Sequence, residues 1–361
     1  MPISAFRFAL LLVGAVSCSQ THAAPADACA RPAEASQPAL DLRVDNDVFG
    51  AQDQGYSSGI QLMLVSSDLE NGEADGAGDE SCRWPITDWL GRRLHFLAPA
   101  GSEQQNLTLS LGQALFTPSN RNRTSLIPDD RPYAAVLVLG LGYNARLGDH
   151  LQASLLQVGI VGPSARGRQS QNQIHKVTGD YPFLGWDNEL RDEGLFQVVH
   201  ERLQRHLPRA PAAAGNGWRR DAVSHWGVSV GNLLTDVSVG GEFRWGPTLP
   251  DDFGSNPLRP AGERTMGRRE EGRSGSTSGL AGHAFLAIDA RWVLWDISLD
   301  GNAFRSSHSV DKEPFVADIG FGIALTRGPW KIVAARFHRS REFRGQKDLP
   351  VFGSVSVSRS F

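Results

Sequence analysis

Gln171 and His175 have the residue types and the spacing that hydrolysis of an ester by an activated water requires. They stand four residues apart, so they share one face wherever the chain between them is helical. A neutral His can take a proton from water as general base, and a Gln amide can donate a hydrogen bond to the developing oxyanion. The same spacing is common on solvated surface helices, so the pair alone leaves both interpretations open.

Oxygen-bearing side chains lie at two predicted strand ends near the N-terminus. Asn46 and Asp47 follow one run of alternating apolar residues, and Ser57 begins the next. Amide, carboxylate and hydroxyl oxygens are ligands of hard cations, and a cation here would stabilise an oxyanion. Asn and Asp at a strand end are also ordinary turn residues, which is the alternative interpretation.

Two other catalytic patterns are not supported. The chain has no His-Glu-x-x-His and no Cys-x-x-Cys, and its ten histidines are scattered, which argues against a metal site built on them. The stretch from Gly162 to Gly167 has one residue too many for a Gly-x-Ser-x-Gly nucleophile elbow. It also lacks the strand-turn-helix context of a hydrolase sheet. We therefore do not predict a serine triad.

The elements that must position these residues are strands in which apolar and polar residues alternate, with one face suited to lipid and one to water. Twelve are predicted, near residues 40–49, 56–66, 104–115, 132–145, 149–162, 192–206, 219–233, 236–247, 279–296, 313–326, 330–343 and 349–361. An even number brings both chain ends to the periplasmic side. The fold class predicted is all-β, a transmembrane antiparallel β-barrel of about 12 strands with a short helix in an outer loop.

The predicted organisation is a signal peptide followed by one barrel domain. Residues 1–24 carry one early charge, a short apolar core and small residues before the cleavage point, as signal peptides do. Residues 25–39 form a periplasmic segment, and residues 40–361 form the barrel. Residues 68–102 are a periplasmic insertion with a helix around 86–97. Residues 163–191 are an outer loop whose short helix ends at Gly179.

The last strand alternates from Val351 to a terminal aromatic, Phe361. This pattern resembles the signal that the barrel-assembly machinery recognises, which would make that machinery a partner of the chain. The alternative is an edge strand of a soluble β-sandwich. Both interpretations agree that the chain ends in a strand with period-two alternation.

Cys29 and Cys82 are the cysteines that remain after removal of the signal peptide. Both are predicted to be periplasmic, one before the first strand and the other in the insertion between the second and third strands. The periplasm is oxidising, so we expect a disulfide between them. Two free thiols are the alternative.

Charge and aromatic content say little about partners. The formal net charge is −3, which does not favour nucleic acid, so no nucleic-acid partner is predicted. Basic residues in the predicted outer loops could meet lipid phosphates or could simply be solvated: Arg121, Arg123, Arg131, Arg166, Arg168 and Lys176. Four tryptophans are expected in interfacial girdles: Trp186, Trp218, Trp226 and Trp245.

Five segments spread over the mature chain resemble the LpxR family of lipid A deacylases. They are LRVDNDVFGAQDQGYSSGIQL, LGQALFTPSNRN, DDRPYAAVLVLGLGYN, GIVGPSARGRQSQNQIHKVTGDYPFLGWDNEL and REFRGQKDLPVFGSVSVSRSF. The pattern Gly-x-x-Gly-Pro-x-Ala-x-Gly-x-x-x-Gln-x-x-x-His, from Gly159 to His175, is long and specific. The resemblance implies an outer-membrane barrel that removes the 3′-linked acyloxyacyl group of lipid A in lipopolysaccharide, with calcium.

The resemblance also implies roles for individual residues. His175 becomes the general base, and calcium becomes the oxyanion stabiliser. Gln171, Asn46, Asp47 and Ser57 complete the catalytic set, and the last three are the candidate calcium ligands. Asp180 and Tyr181 match the family pattern approximately and, with Arg121 and Arg123, are candidate substrate residues.

Two features depart from the family pattern, and two other functions stay open. Ser57-Ser58 stands where many family members have Thr-Asn, and the loop from Gly50 to Gly55 is short, so substrate reach could differ. The first alternative function is a passive outer-membrane barrel or porin. The second is an outer-membrane phospholipase acting on glycerophospholipids.

Overall fold

Twelve antiparallel strands close into a barrel in the computed structural model of this chain. The structure describes residues 37–47, 55–69, 85–179, 181–206, 218–255 and 280–361. The strands are β1 (Ala39–Asn46), β2 (Gly55–Val65), β3 (Gln104–Thr117), β4 (Ala134–Leu147), β5 (His150–Val161), β6 (Glu193–Arg205), β7 (Arg219–Gly231), β8 (Leu234–Gly246), β9 (Ala281–Asp296), β10 (Phe315–Arg327), β11 (Trp330–Arg339) and β12 (Val351–Ser360). Each strand pairs with its neighbours in sequence, and β1 pairs with β12 to complete the closure.

The barrel has two rims, which we call upper and lower. The start of β1 and the end of β12 are paired at the lower rim, where Ala39 lies opposite Ser360. The odd-numbered strands run to the upper rim, so the loops that follow them lie there. Closure leaves no unpaired sheet edge, and this is one of the two ways in which a chain can satisfy its backbone in a membrane.

The period-two alternation predicted from the sequence divides the side chains between two environments. Ile60, Leu62 and Leu64 of β2 are exposed on the outer face of the barrel. Gln61, between them, lines the interior. An apolar outer face and a polar interior are what a strand needs between lipid and an aqueous lumen.

Three α-helices accompany the barrel in the part of the chain that the structure describes. They are α1 (Pro85–Leu94), α2 (Gly167–Thr178) and α3 (Ile297–Asp300). Within the described ranges, none of the helices has the length and apolar character needed to cross a membrane. α1 and α2 occur where the sequence predicted helices, and Gly179 ends α2 in the left-handed conformation with φ +81°.

A short segment enters the lumen at the lower rim. Phe253 is fully buried among the lumen-facing Leu151, Ala153, Leu203 and Val223. The guanidinium groups of Arg146 and Arg205 lie over its ring, at 5.4 Å and 5.2 Å from the centroid. Asp251 accepts hydrogen bonds from Arg146 and pairs with Arg205 at 2.8 Å. The segment is therefore bound to the wall by packing and by charge.

A second segment enters the lumen at the upper rim. Ile297, in α3, packs with the lumen-facing Val136, Val161 and Leu195 and with the loop residue Leu190. Ser298 accepts a hydrogen bond of 3.0 Å from Arg131, which also donates to Glu342 at 3.0 Å. Ile297 and Ser298 line a cavity of about 370 Å³ inside the barrel, together with polar and apolar residues of the strands. Side chains of both segments therefore occupy part of the lumen.

The predicted barrel of about 12 strands is confirmed, and its strand limits lie within a few residues of those expected. The predicted helix near 86–97 is also present, because α1 continues as a 3₁₀ turn over His95–Leu97. The signal peptide and the cysteine pair remain predictions, since residues 1–36 and Cys82 lie outside the described residues.

Candidate active site on the outer wall

α2 lies against the outside of the barrel near the upper rim. The cluster beside it combines Leu115 of β3 and Ala135 of β4 with Tyr133, Phe183 and Trp186. Leu115 and Ala135 have the parity of the lipid-facing residues of their strands, and α2 contacts both strands. The loop from β5 to β6 therefore carries α2 over the rim and onto the face that meets lipid.

Two glycines of the Gly159 to His175 pattern allow this path. Gly162 has φ +108°, a backbone conformation that residues with a Cβ rarely adopt;. At Gly167, the first residue of α2, a Cβ would lie 2.4 Å from the Ala135 Cβ and 2.7 Å from the Trp186 ring. Gly167 thus brings the helix backbone into direct contact with the wall. Gln113 of β3 adds a hydrogen bond of 2.6 Å to the Ala165 carbonyl.

His175 lies in the last turn of α2 and is 8% exposed. Its Nδ1 atom is 2.7 Å from the backbone carbonyl oxygen of Tyr181. A carbonyl only accepts hydrogen bonds, so Nδ1 is the protonated nitrogen and Nε2 of the neutral ring keeps its lone pair. The ring also packs against Phe183, with centroids 5.9 Å apart. This arrangement orients the imidazole and leaves Nε2 as its basic atom.

Gln171, one turn earlier, is 2% exposed and is oriented by a tryptophan. The indole Nε1 of Trp186 donates a hydrogen bond of 2.7 Å to Gln171 Oε1. Because indole is only a donor, the Gln171 oxygen must face it, and the amide nitrogen points the other way. Among the described residues that nitrogen is buried without a hydrogen-bond partner. It is thus a donor available to a bound molecule.

The strand register relates the N-terminal candidates to this helix. Asn46 of β1 is opposite Ser58 of β2, Ser58 is opposite Leu115 of β3, and Leu115 is opposite Ala135 of β4. All four have outer-face parity and form one row along the upper rim. With strands about 4.8 Å apart, Asn46 lies roughly 14 Å along the wall from Ala135. Asn46 and Ser58 therefore continue the surface on which α2 rests.

Ser57 lies at an irregularity of β2. A β-bulge between Tyr56 and Ser58 interrupts the register with β3 at this point. A bulge adds one residue to a strand and locally interrupts the ladder. Ser58, rather than Ser57, is the residue in register with Asn46.

Asp47 follows Asn46 immediately, beyond the end of β1, and is 2% exposed. Asp47, Asn46 and the serines of β2 offer oxygen atoms as ligands. That chemistry fits calcium, which prefers carboxylate, amide and water oxygens. Among the described residues there is no group of three or more His, Cys, Asp or Glu side chains placed to hold a metal. A calcium ion bound here would be coordinated mainly by neutral oxygen atoms and by one carboxylate.

The candidate substrate residues separate into two groups. The Arg121 guanidinium lies 5.8 Å from the centroid of the exposed Tyr181 ring, and Leu184 donates to the Arg121 carbonyl at 2.9 Å. Arg121 and Tyr181 thus meet beside the C-terminal end of α2. Arg123 is exposed and donates to Ser125 at 3.0 Å. Asp180 lies outside the described residues.

Glu189 is a half-buried acid in the same loop. Burial raises the pKa of its carboxyl to about 7, and the nearby Arg168 opposes that rise. Arg168 itself pairs with the exposed Asp187. Glu189 Oε2 is buried without a hydrogen-bond partner among the described residues, which is consistent with a carboxyl that binds a proton near neutral pH.

Trp186 is the residue that sequence reasoning missed. It was expected in an interfacial girdle, but it is 1% exposed and holds Gln171. Trp226 is exposed on the outer face of β7, which agrees with a position in an interfacial girdle. A signal for Trp186 was present in the sequence, because it lies inside the segment that carries the family resemblance, whereas Trp218, Trp226 and Trp245 do not.

The closed barrel and its apolar outer face define an integral outer-membrane β-barrel, and the candidate site lies on its wall. The model of the family described as "Outer membrane protein LpxR" matches residues 8–361. The chain belongs to the LpxR family, and it is a protein of the outer membrane. No curated protein matches the chain in sequence.

Solved structures agree on the fold. LpxR from Salmonella typhimurium has 17% sequence identity and a TM-score of 0.66, over 90% of this chain and 100% of that one. The β domain of the Bordetella autotransporter BrkA has 10% identity and a TM-score of 0.41, over 90% of this chain and 99% of that one. The first similarity supports the twelve-stranded architecture, and the second is too weak to carry an argument.

Proposed function

We propose that this protein is a lipid A 3-O-deacylase, an ester hydrolase that removes the 3′-linked acyloxyacyl group of lipid A. One observation carries the proposal beyond family membership. The oriented His175 and the amide of Gln171 lie on a helix packed against the lipid-facing wall, outside the lumen. A site there meets an ester of a membrane lipid, whereas a site in the lumen would meet water-soluble molecules.

His175 is proposed to act as general base. Its Nε2 takes a proton from water as the water oxygen attacks the ester carbonyl carbon. The tetrahedral intermediate then collapses, the bond between the acyl carbon and the sugar oxygen breaks, and the proton on Nε2 passes to that oxygen. The products are a fatty acid and a free sugar hydroxyl. The Tyr181 carbonyl holds the ring through Nδ1 during both transfers.

Gln171 is proposed to donate a hydrogen bond to the oxyanion. Its nitrogen is already buried and directed away from Trp186, so little reorganisation is needed when charge develops;. α2 contributes about 1.5 Å per residue, so His175 lies about 12 Å along the axis from Gly167. Because α2 contacts β3, and Leu115 of β3 is opposite Ser58, we propose that His175 and the row containing Asn46 and Ser58 border one substrate groove.

Calcium is the proposed cofactor. Asn46, Asp47 and a serine of β2, Ser57 in the family pattern, would hold it through oxygen atoms. When bound, it would supply positive charge to stabilise the oxyanion. The half-buried Arg121 and the exposed Tyr181 would meet the headgroup, where Arg121 can pair with a lipid A phosphate;. Arg123 and Asp180 remain candidates for the same contact.

Neither alternative function is favoured by a specific observation. Phe253 and Ile297 occupy part of the lumen near its two ends, which a passive channel does not require. A phospholipase would differ from a lipid A deacylase only in its substrate, so a comparison of substrates is needed to distinguish the two.

The C-terminal strand, with Phe361 at the lower rim, is proposed as the element that the barrel-assembly machinery recognises.

The proposal is tested by expressing the chain in cells that lack such an activity and measuring the molecular mass of their lipid A. A loss of mass equal to one acyloxyacyl group is expected. The purified protein should act on lipid A and leave glycerophospholipid intact in the same detergent with calcium. Unchanged lipid A together with hydrolysed phospholipid would assign the site to a phospholipase instead.

A further inference from the structure

α1 lies on the outer wall of the barrel at the lower rim. Leu90, Leu94 and Leu97 pack against Leu107 of β3 and Tyr143 of β4, which have the parity of the lipid-facing residues of their strands. Gln152 of β5, also on the outer face, donates a hydrogen bond of 2.6 Å to the Leu97 carbonyl. The helix is therefore attached to the barrel from outside.

The other side of α1 is apolar and exposed. Ile86, Trp89 and Phe96 are 55%, 50% and 79% exposed. Arg92 and Arg93 are exposed beside them, and the Arg93 guanidinium lies 5.8 Å from the centroid of the Trp89 ring. An amphipathic helix with aromatic and aliphatic residues next to Arg has the composition of helices that lie in a lipid interface.

The register places α1 at the level of an interfacial band. Gln152, which binds the end of the α1 region, is opposite Arg202 of β6, and Arg202 is opposite Trp226 of β7. The Arg202 guanidinium lies 5.8 Å from the centroid of the Trp226 ring, and both side chains are exposed on the outer face. Trp and Arg at one level on a lipid-facing wall mark the headgroup region.

We propose that α1 and the 3₁₀ turn after it form an interfacial segment that inserts Ile86, Trp89 and Phe96 into the periplasmic leaflet of the outer membrane. Arg92 and Arg93 then contact phospholipid phosphates. The occupant is a phospholipid surface because the patch continues the lipid-facing wall and its charges are complementary to phosphate. The proposal depends on the lower rim facing the periplasm and does not depend on the deacylase activity.

A photo-crosslinking phenylalanine analogue at position 96 tests this in cells that assemble the full chain. Phe304, 73% exposed in the upper-rim loop between β9 and β10, is the matched control position. After irradiation, position 96 should give an adduct with the mass of a phospholipid, and position 304 should not. The double variant Arg92→Glu, Arg93→Glu should lower the yield at position 96.

Assembly is checked separately for each variant by heat-modifiable migration. A folded protein whose position 96 forms adducts only with other proteins would overturn the proposal, since α1 would then be a protein docking surface. Absence of any adduct at position 96, with Leu111 in the middle of β3 giving a phospholipid or lipid A adduct, would overturn it as well. An unchanged yield of the phospholipid adduct in the double Arg variant would contradict the proposed contact with phosphate.

Discussion

The Nδ1 atom of His175 donates a hydrogen bond of 2.7 Å to the backbone carbonyl of Tyr181. This bond joins the last turn of α2 to the segment that follows the helix, and it determines which imidazole nitrogen is basic. A backbone partner cannot be removed by mutation of a side chain. The orientation of the general base thus depends on the fold of the loop, and the following predictions address that dependence.

Replacing Trp186 by Phe should lower turnover while leaving substrate affinity nearly unchanged. The ring still fills the cluster with Leu115 and Ala135, but the hydrogen bond to Gln171 Oε1 is lost. The amide is then free to rotate, so we expect a loss of up to about 10²-fold in kcat, the scale for removal of one oxyanion donor. Trp218→Phe is the control, since Trp218 is 71% exposed. Equal kcat values for the two variants would show that Trp186 does not contribute to turnover.

Gly167→Ala should reduce deacylation and leave the barrel assembled. The added Cβ would overlap Ala135 and Trp186, so α2 must move away from the wall. A displacement of about 1 Å can cost about 10²-fold in rate. Gly194→Ala is a matched control because nothing lies within 4 Å of a Cβ at Gly194. Full activity of Gly167→Ala, measured on lipid A in detergent, would show that the contact with the wall does not position the site.

Glu189 should make the stability of the loop depend on pH. Because burial raises the pKa of Glu189 to about 7, the folded loop favours the protonated carboxyl. The stabilisation is fully present below the unfolded value near 4.5 and is lost as pH rises through 7. Hydrogen exchange of the amides in 181–192 should show Glu189→Gln protected more than wild type at pH 8 and similarly at pH 4.5. Identical protection of the two proteins at pH 8 would contradict this.

Removal of calcium by a chelator should stop turnover, and addition of calcium should restore it. The donor set of Asn46 and Asp47 is made of oxygens, and the ion would carry the positive charge that the oxyanion needs. Initial rates in titrated chelator measure this. Full activity in excess chelator would instead favour a mechanism in which Gln171 or Ser57 alone stabilises the oxyanion.

Alternation in the sequence was sufficient to predict twelve strands, because lipid and water impose opposite preferences on neighbouring residues. The pair Gln171 and His175 was accessible through helical spacing. The contact of Trp186 with Gln171 could not be predicted from hydropathy, which does not distinguish a buried loop tryptophan from one in a girdle; only its place in the segment of family resemblance set Trp186 apart. The bulge beside Ser57 was also hidden, because Tyr56-Ser57-Ser58-Gly59 shows no break in its pattern and the bulge arises from pairing with β3.

Activity of His175→Ala on purified lipid A tests the central claim most directly. The exposed His150, the first residue of β5 at the lower rim, provides the control variant His150→Ala. Both proteins should show heat-modifiable migration, and His150→Ala should release the acyloxyacyl group at the wild-type rate. His175→Ala should be slower by about 10²- to 10⁴-fold, the contribution of a general base. A rate within a few-fold of wild type would contradict the assignment of His175 as the base.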